Sequence, residues 1–370
     1  MNPLKGLQQY GQSVWLDYIH RHLMSSGELT RLVEEDGLRG VTSNPTIFEK
    51  AIADSPDYDE ALRGILASHP CVDVRMVYEA LAIEDIRMAA DILRPVHDET
   101  DGADGFVSLE VSPHLARDTA RTIAEARRLW QVVDRPNLMV KVPATPEGIP
   151  AIEALITEGL NINVTLIFSL DHYEAVAHAY LRGVARHPDP RRVASVASFF
   201  VSRVDAAVNR ALEAIGTPEA LALRGKIAIA NAKMAYRRFQ EFFSGERWEG
   251  LSKRGARIQR PLWASTGTKN PAYPDVLYVA ELIGPDTVNT MPPATLDAFR
   301  DHGQLRTSLT EGQLKAAAAL DRLGELNVDL MRITEQLQHE GVAAFAKSYD
   351  QLLAALHEKR SALEAGLCSG

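Results

Sequence analysis

Cysteine is almost missing from this chain of 370 residues: only Cys71 and Cys368 occur, far apart. They can build neither a disulfide framework nor a Cys-rich zinc site, and such usage fits a reducing, cytoplasmic setting. No apolar run approaches the roughly 18 residues of a membrane span. The opening MNPLKGLQQYGQSVWLDYIHRH reaches Asp17, His20 and Arg21 before a signal-peptide core can accumulate. The expectation is a cytoplasmic protein with no membrane partner. Glycine and proline are modest at 24 and 19 residues, against 46% hydrophobic and 24% charged residues, which excludes a fibrous or disordered chain. Basic charge is not in excess either. Forty Lys and Arg face 49 Asp and Glu, a net charge of -9, so the electrostatic footprint of a nucleic-acid binder is lacking. Neither G-x-x-x-x-G-K-[ST] nor G-x-G-x-x-G occurs, leaving nucleotide binding without support. Metal chemistry needs clustered ligands, and the histidines do not cluster. His20 and His22 flank Arg21 on an expected helix, while His172 and His178, six apart, face different sides. All four read as solvated surface residues, and no metal is expected.

What is present is a regular alternation. At roughly 150 residues per domain the length suggests two units, but a (β/α)8 barrel runs longer as one. Eight short apolar runs recur: SVWLD (13–17), GVTSNP (40–45), GFVSLEV (105–111), NLMVKVPA (137–144), NINVTLIF (161–168), RVASVASFFVS (192–202), RPLWASTG (260–267) and DTVNTMPP (286–293). Between them lie segments such as 77–93, 114–133, 148–159 and 170–185, whose apolar residues return at three- and four-residue steps, the mark of amphipathic helices. Strands that alternate with helices pair in parallel, because a parallel crossover takes a dozen or more residues. Eight such units predict an α/β fold, a closed (β/α)8 TIM barrel over residues 1–300. Residues 301–370 hold no strand candidate and read as a helical extension packed on the barrel, which leaves room for a homodimer.

Residues two apart on a strand share a face, and in a barrel one face looks inward. In NINVTLIF the apolar set is Ile162, Val164 and Leu166, which leaves Asn161, Asn163 and Thr165 facing the interior. In NLMVKVPA the outer set is Leu138, Val140 and Val142, sending Lys141 inward beside Met139. The same count groups Trp15 with Asp17, Phe106 and Ser108 with Glu110, Thr42 with Asn44, and Val196 and Ser198 with Phe200. Each polar group sits near the C-terminal end of its strand, where barrel enzymes assemble their sites. An isolated lysine in an apolar run is ordinarily a snorkelling side chain; two carboxylates, amides and hydroxyls in one mouth argue for chemistry. An amine out of water gives up its proton more readily and can attack a ketone. The resulting iminium is an electron sink beside which a C–C bond breaks, provided that bases move the protons. Asp17 and Glu110 are available for that, or for structural pairing with Lys141.

At GVTSNPTIF (40–48), LMVKVPATPEGIPAI (138–152) and NINVTLIFS (161–169) the chain resembles transaldolase, a class I Schiff-base family, in its longer bacterial branch. The resemblance implies that Lys141 forms the Schiff base with the donor ketose, and that Asp17 takes the proton of the C4 hydroxyl as C3–C4 breaks. It further implies that Glu110 and Thr165 relay protons through an ordered water. Asn44, Asn163 and Ser198, with Thr42 alongside, match positions that bond the dihydroxyacetone fragment, and Phe200 fits the ring near the Schiff base. A related fructose-6-phosphate aldolase class carries Tyr there, so Phe favours passing the fragment to an aldehyde. Arg203 matches the family's phosphate-binding arginine. A second arginine after the seventh strand is replaced, in STGTKN, by Lys269, a point charge in place of a fork, with Ser265 and Thr266 near enough to share the task. The implied activity moves dihydroxyacetone from sedoheptulose 7-phosphate or fructose 6-phosphate to glyceraldehyde 3-phosphate or erythrose 4-phosphate. Its partners are sugar phosphates, and it needs no cofactor. Two rivals are an aldolase that releases free dihydroxyacetone and a sugar-phosphate-binding barrel without chemistry.

Overall fold

In the computed structural model, which describes residues 2–53, 55–69 and 71–367, eight parallel strands close into a barrel in chain order. They are β1 (Gln12–Asp17), β2 (Gly40–Thr42), β3 (Phe106–Glu110), β4 (Leu138–Pro143), β5 (Ile162–Ile167), β6 (Ser195–Phe200), β7 (Arg260–Ala264) and β8 (Thr287–Met291). Each lies within an apolar run read from the sequence or overlaps it by all but one residue. The intervening helices include Val74–Glu99, Thr119–Val133, Gly148–Thr157 and Leu170–Arg186. Their starts are encoded locally: the Asp118 carboxylate accepts from the Arg121 amide at 2.9 Å, and the Ser169 hydroxyl from the His172 amide at 3.1 Å.

Strand register bears out the alternation. Glu110 pairs with Lys141, Lys141 with Asn163 and Asn163 with Val196, so these four share one level and one face. Asp17 pairs with Thr42, and below them Trp15 pairs with Gly40 and Gly40 with Phe106. The outer set Leu138, Val140 and Val142 is buried under the helices. Trp15 fills the lumen because residue 40 has no side chain: a Cβ there would stand 2.5 Å from the indole ring. The indole N–H donates to Asp104 at 2.8 Å, and Asp104 also meets the Ser13 hydroxyl and, at 3.3 Å, Arg260. This network lies toward the N-terminal end of the barrel, where it lines an open hollow, while the polar strand ends gather at the other end.

The alternation fails at one place. The β5–β6 register slips between Val164 and Ile167, and Leu166 adopts φ +59°. This bulge admits one extra residue, so Ile167 pairs with the outward Phe199 while the Leu166 side chain reaches residue 341. The expected outer position of Leu166 is therefore corrected.

The tail is helical as expected, with helices Gln313–Glu325 and Leu330–Leu367. The longer one runs across the C-terminal mouth. Its Gln338 side-chain amide donates to the Ala144 and Leu166 carbonyls at 3.0 and 3.1 Å, Ser348 bonds Thr46 at 2.9 Å, and Lys359 donates to the Ile52 and Ser55 carbonyls.

Two histidine readings change. His172 is buried, with Nε2 2.9 Å from Glu335 of this terminal helix, because the tail covers a face that the barrel alone would leave in water. His20 has extended backbone and precedes the helix that starts at Arg21, accepting from the His22 amide. Cys71 is free and exposed; Cys368 lies outside the described residues. Among the described residues no group of three His, Cys, Asp or Glu side chains is placed to hold a metal, and no helix is long and apolar enough to cross a membrane.

Candidate active site

Lys141 sits in the middle of β4, its side chain 5% exposed, and points into a cavity of about 430 Å³ at the C-terminal mouth. The amine donates to the Ser43 carbonyl at 3.1 Å and lies 3.4 Å from Glu110 Oε2 on the neighbouring strand. Glu110 is equally buried, and burial pushes its carboxyl above the ordinary carboxylate range, with Lys141 and Arg203 pulling the other way. Among the described residues the Thr165 hydroxyl, two strands away, is buried without a hydrogen-bond partner, and Glu110 Oε2 has only the Lys141 amine, 3.4 Å off. Orphaned polar atoms of this kind mark a place for water or substrate.

Asp17, at the end of β1, is a second acid, half-buried. Loss of water raises its carboxyl, opposed first by Lys141, then by the Thr42 hydroxyl that donates to it at 2.7 Å, then by Arg203. Thr42 in turn bonds Thr290 on β8 at 2.7 Å. Asp17, Thr42, Asn44, Lys141, Thr165, Ser198, Phe200, Arg203 and Ser265 all line the cavity. Asn163 does not. Its amide donates to Ser108 at 3.0 Å and its carbonyl accepts from Ser198 at 2.7 Å, so it holds the Ser198 hydroxyl from beneath the floor. Asn44 lines the wall while its Oδ1 accepts from the Ile47 amide, opening the following helix.

Two cations stand at the rim. Arg203 is largely buried, which lowers its guanidinium pKa against the opposing pull of Asp17 and Glu110. It makes no hydrogen bond or ion pair among the described residues. Lys269 is outside the cavity wall and exposed, and its ammonium is lowered by loss of water and then by Arg203. It too has no hydrogen bond or ion pair there. Ser265, with φ +56°, bonds Ser202 at 2.7 Å. Thr266 is fully buried and donates to Asn289 at 2.9 Å, which removes it from the group of residues near enough to share the task.

Sequence reasoning missed three contributors. Thr290 shares the inward face, since it pairs with Trp15, and the same two-residue count applied to β8 finds it. The Ser43 carbonyl carries no side-chain signal. Phe345, 2% exposed, comes from the terminal helix and closes the cavity from above.

The assembled groups are one amine, two acids within its electrostatic reach, hydroxyls around a water-sized gap, and cations at the entrance. They suit attack of an amine on an anionic carbonyl compound, with proton transfer in a site largely shielded from solvent. Comparison with known proteins agrees. Residues 14–356 match the family described as Transaldolase/Fructose-6-phosphate aldolase. A curated protein named Transaldolase from Thermobifida fusca (strain YX) is 52% identical over 357 residues, covering 95% of this chain and 96% of that one. Proteins of the same name from Parafrankia sp. (strain EAN1pec) and Thiobacillus denitrificans (strain ATCC 25259 / T1) are 52% and 50% identical, covering 98% and 99% of their own lengths.

Proposed function

Because the chain belongs to the transaldolase/fructose-6-phosphate aldolase family, we propose that it transfers a dihydroxyacetone unit between sugar phosphates through a Schiff base on Lys141. The donor is sedoheptulose 7-phosphate or fructose 6-phosphate; the acceptor is glyceraldehyde 3-phosphate or erythrose 4-phosphate. The observation that carries this reading is the buried Lys141 amine, 3.4 Å from Glu110 in a cavity that Asp17 also lines.

The amine attacks the C2 carbonyl, forming a C–N bond and a carbinolamine. Glu110, with Thr165 through a water, moves protons so that the C2 oxygen leaves as water and an iminium remains. Asp17 takes the C4 hydroxyl proton, the C3–C4 electron pair flows into the iminium, and the first aldehyde departs. Addition of the acceptor runs these steps in reverse, with Asp17 returning the proton to the new hydroxyl. The raised carboxyl of Asp17 supports this, since a base held above the ordinary range also serves as an acid. Ser198, held by Asn163, and Thr42 and Asn44 bind the three-carbon fragment. Arg203 and Lys269, cations with no anion of their own, take the substrate phosphate. Cysteine usage supports a cytoplasmic setting.

Fructose 6-phosphate with borohydride is expected to leave a reduced three-carbon adduct on Lys141, read by peptide mass. Lys141→Ala loses both adduct and turnover; a Lys141→Ala protein with undiminished turnover ends the proposal. Assaying fructose 6-phosphate with and without erythrose 4-phosphate separates transfer from release of free dihydroxyacetone.

A further inference from the structure

Three residues of the terminal helix, Gln338, Gly341 and Phe345, stand at i, i+3 and i+7 and so share one face. That face meets the mouth of the barrel. Gln338 ties the Ala144 and Leu166 carbonyls, which follow β4 and lie within the β5 bulge. At residue 341 a Cβ would stand 2.9 Å from the Leu166 side chain and 3.6 Å from a guanidinium nitrogen of Arg203, so glycine lets the helix settle onto both. Phe345 then lies over Arg203, its ring centroid 5.6 Å from the guanidinium carbon, with Phe200 at 5.3 Å. Phe200 is itself braced by Phe168 at 5.1 Å.

Arg203 has nothing else to hold it: among the described residues it has no hydrogen bond or ion pair, while Asp17 and Glu110 attract it inward. A flexible cation under that attraction would fold toward the acids. Contact with two ring faces opposes this without using any of its N–H donors.

We propose that Phe345 is a positioning residue for phosphate recognition: with Phe200 it holds the Arg203 guanidinium so that its donors stay free for the phosphate of the incoming sugar. The proposal rests on the reading of Arg203 as the phosphate ligand. It makes the terminal helix part of substrate selection as well as of the fold. The chemistry selected is a phosphomonoester dianion on the acceptor aldehyde, with the polyol part left to the barrel residues.

The test compares acceptors. With fructose 6-phosphate as the fixed donor, kcat/KM is measured for erythrose 4-phosphate and for unphosphorylated erythrose by the glyceraldehyde 3-phosphate released, and their ratio reports what the phosphate contributes, since effects common to both acceptors cancel. Phe345→Leu is expected to lower that ratio by roughly three- to thirtyfold, the span of one cation–π contact. It should weaken inhibition by inorganic phosphate to the same extent. Phe345→Tyr, which keeps the ring, is expected to hold the ratio at the wild-type value. Arg203→Ala collapses the ratio outright. If Arg203→Ala leaves the ratio intact, the phosphate assignment fails and this inference with it. If Arg203→Ala collapses it but Phe345→Leu does not, or if Phe345→Tyr falls as far as Phe345→Leu, the inference alone is overturned. Should thermal unfolding show that Phe345→Leu does not fold, Phe345→Met replaces it under the same two outcomes.

Discussion

Replacing Glu110 by glutamine separates catalysis from structure. The amide has nearly the shape of the carboxylate, and the Lys141 amine keeps its 3.1 Å bond to the Ser43 carbonyl, so the nucleophile stays where it is. What is lost is a proton acceptor 3.4 Å from the nitrogen that must shed and exchange protons. General acid–base groups contribute about 10²- to 10⁴-fold, which at about 1.36 kcal/mol per tenfold is about 3–5 kcal/mol of barrier. Glu110→Gln is thus expected to lower kcat by that factor in a coupled assay with fructose 6-phosphate and erythrose 4-phosphate. It should also slow the appearance of borohydride-trapped adduct by a comparable factor. The wild-type profile carries a matching sign. Burial raises the Glu110 carboxyl, so its base form is lost as pH falls at a higher pH than for an ordinary carboxylate, and the acid side of the rate profile begins early. The same shift means that the folded state holds this proton more tightly than the unfolded chain. The contribution to stability is full at low pH and is lost as pH rises through the folded value. If Glu110 were only a counter-ion, Glu110→Gln would lower the unfolding midpoint and spare kcat. A turnover close to wild type would refute the proton-transfer role.

Two further outcomes test the scaffold. Gly40→Ala drives a Cβ to within 2.5 Å of the Trp15 ring, an overpacking that costs about 1–3 kcal/mol, and urea unfolding followed by tryptophan fluorescence should show a lower midpoint. Asp85→Ala removes a fully buried carboxylate that accepts from Tyr58 at 2.6 Å and Arg21 at 2.9 Å; breaking that pair is expected to cost about 3–5 kcal/mol in the same measurement.

Much of the barrel is legible in the sequence because its information is local. A strand buried on one side by helices and on the other by a polar lumen writes its faces at alternate positions, which is why Lys141, Asp17 and Glu110 can be found by counting. Register then brings them together without further signal, Glu110 opposite Lys141. Most of the failures are non-local. Nothing about Leu166 marks a left-handed backbone, since the usual glycine is absent, and the bulge is held by Gln338 from a helix more than 160 residues away in sequence. The pattern of the tail says that Phe345 belongs to a buried face, but not that the face covers a cation. His172 reads as a surface residue until Glu335 arrives over it. Asn163 stands level with Lys141 on the predicted face, but its short side chain is spent on Ser108 and Ser198, while the long lysine reaches up into the cavity, a difference that alternation does not record.

The placement of charge supports reading the mouth as a site for a phosphorylated sugar. Loss of water raises the carboxyls of Asp17 and Glu110 and lowers the guanidinium of Arg203. The two acids have Lys141 close by, and Thr42 bonds Asp17. Arg203 and Lys269 have no such partner among the described residues, and for the more deeply set Arg203 burial works against the charge. A chain with a net charge of -9 has carboxylates enough to pair them, yet none lies within ion-pair distance among the described residues. A pairing carboxylate would have to be displaced before phosphate could bind, at the cost of a desolvated ion pair. Leaving the cations unpaired moves that cost into the free protein, so the attraction to an arriving dianion is available in full for holding the reactive carbonyl over Lys141.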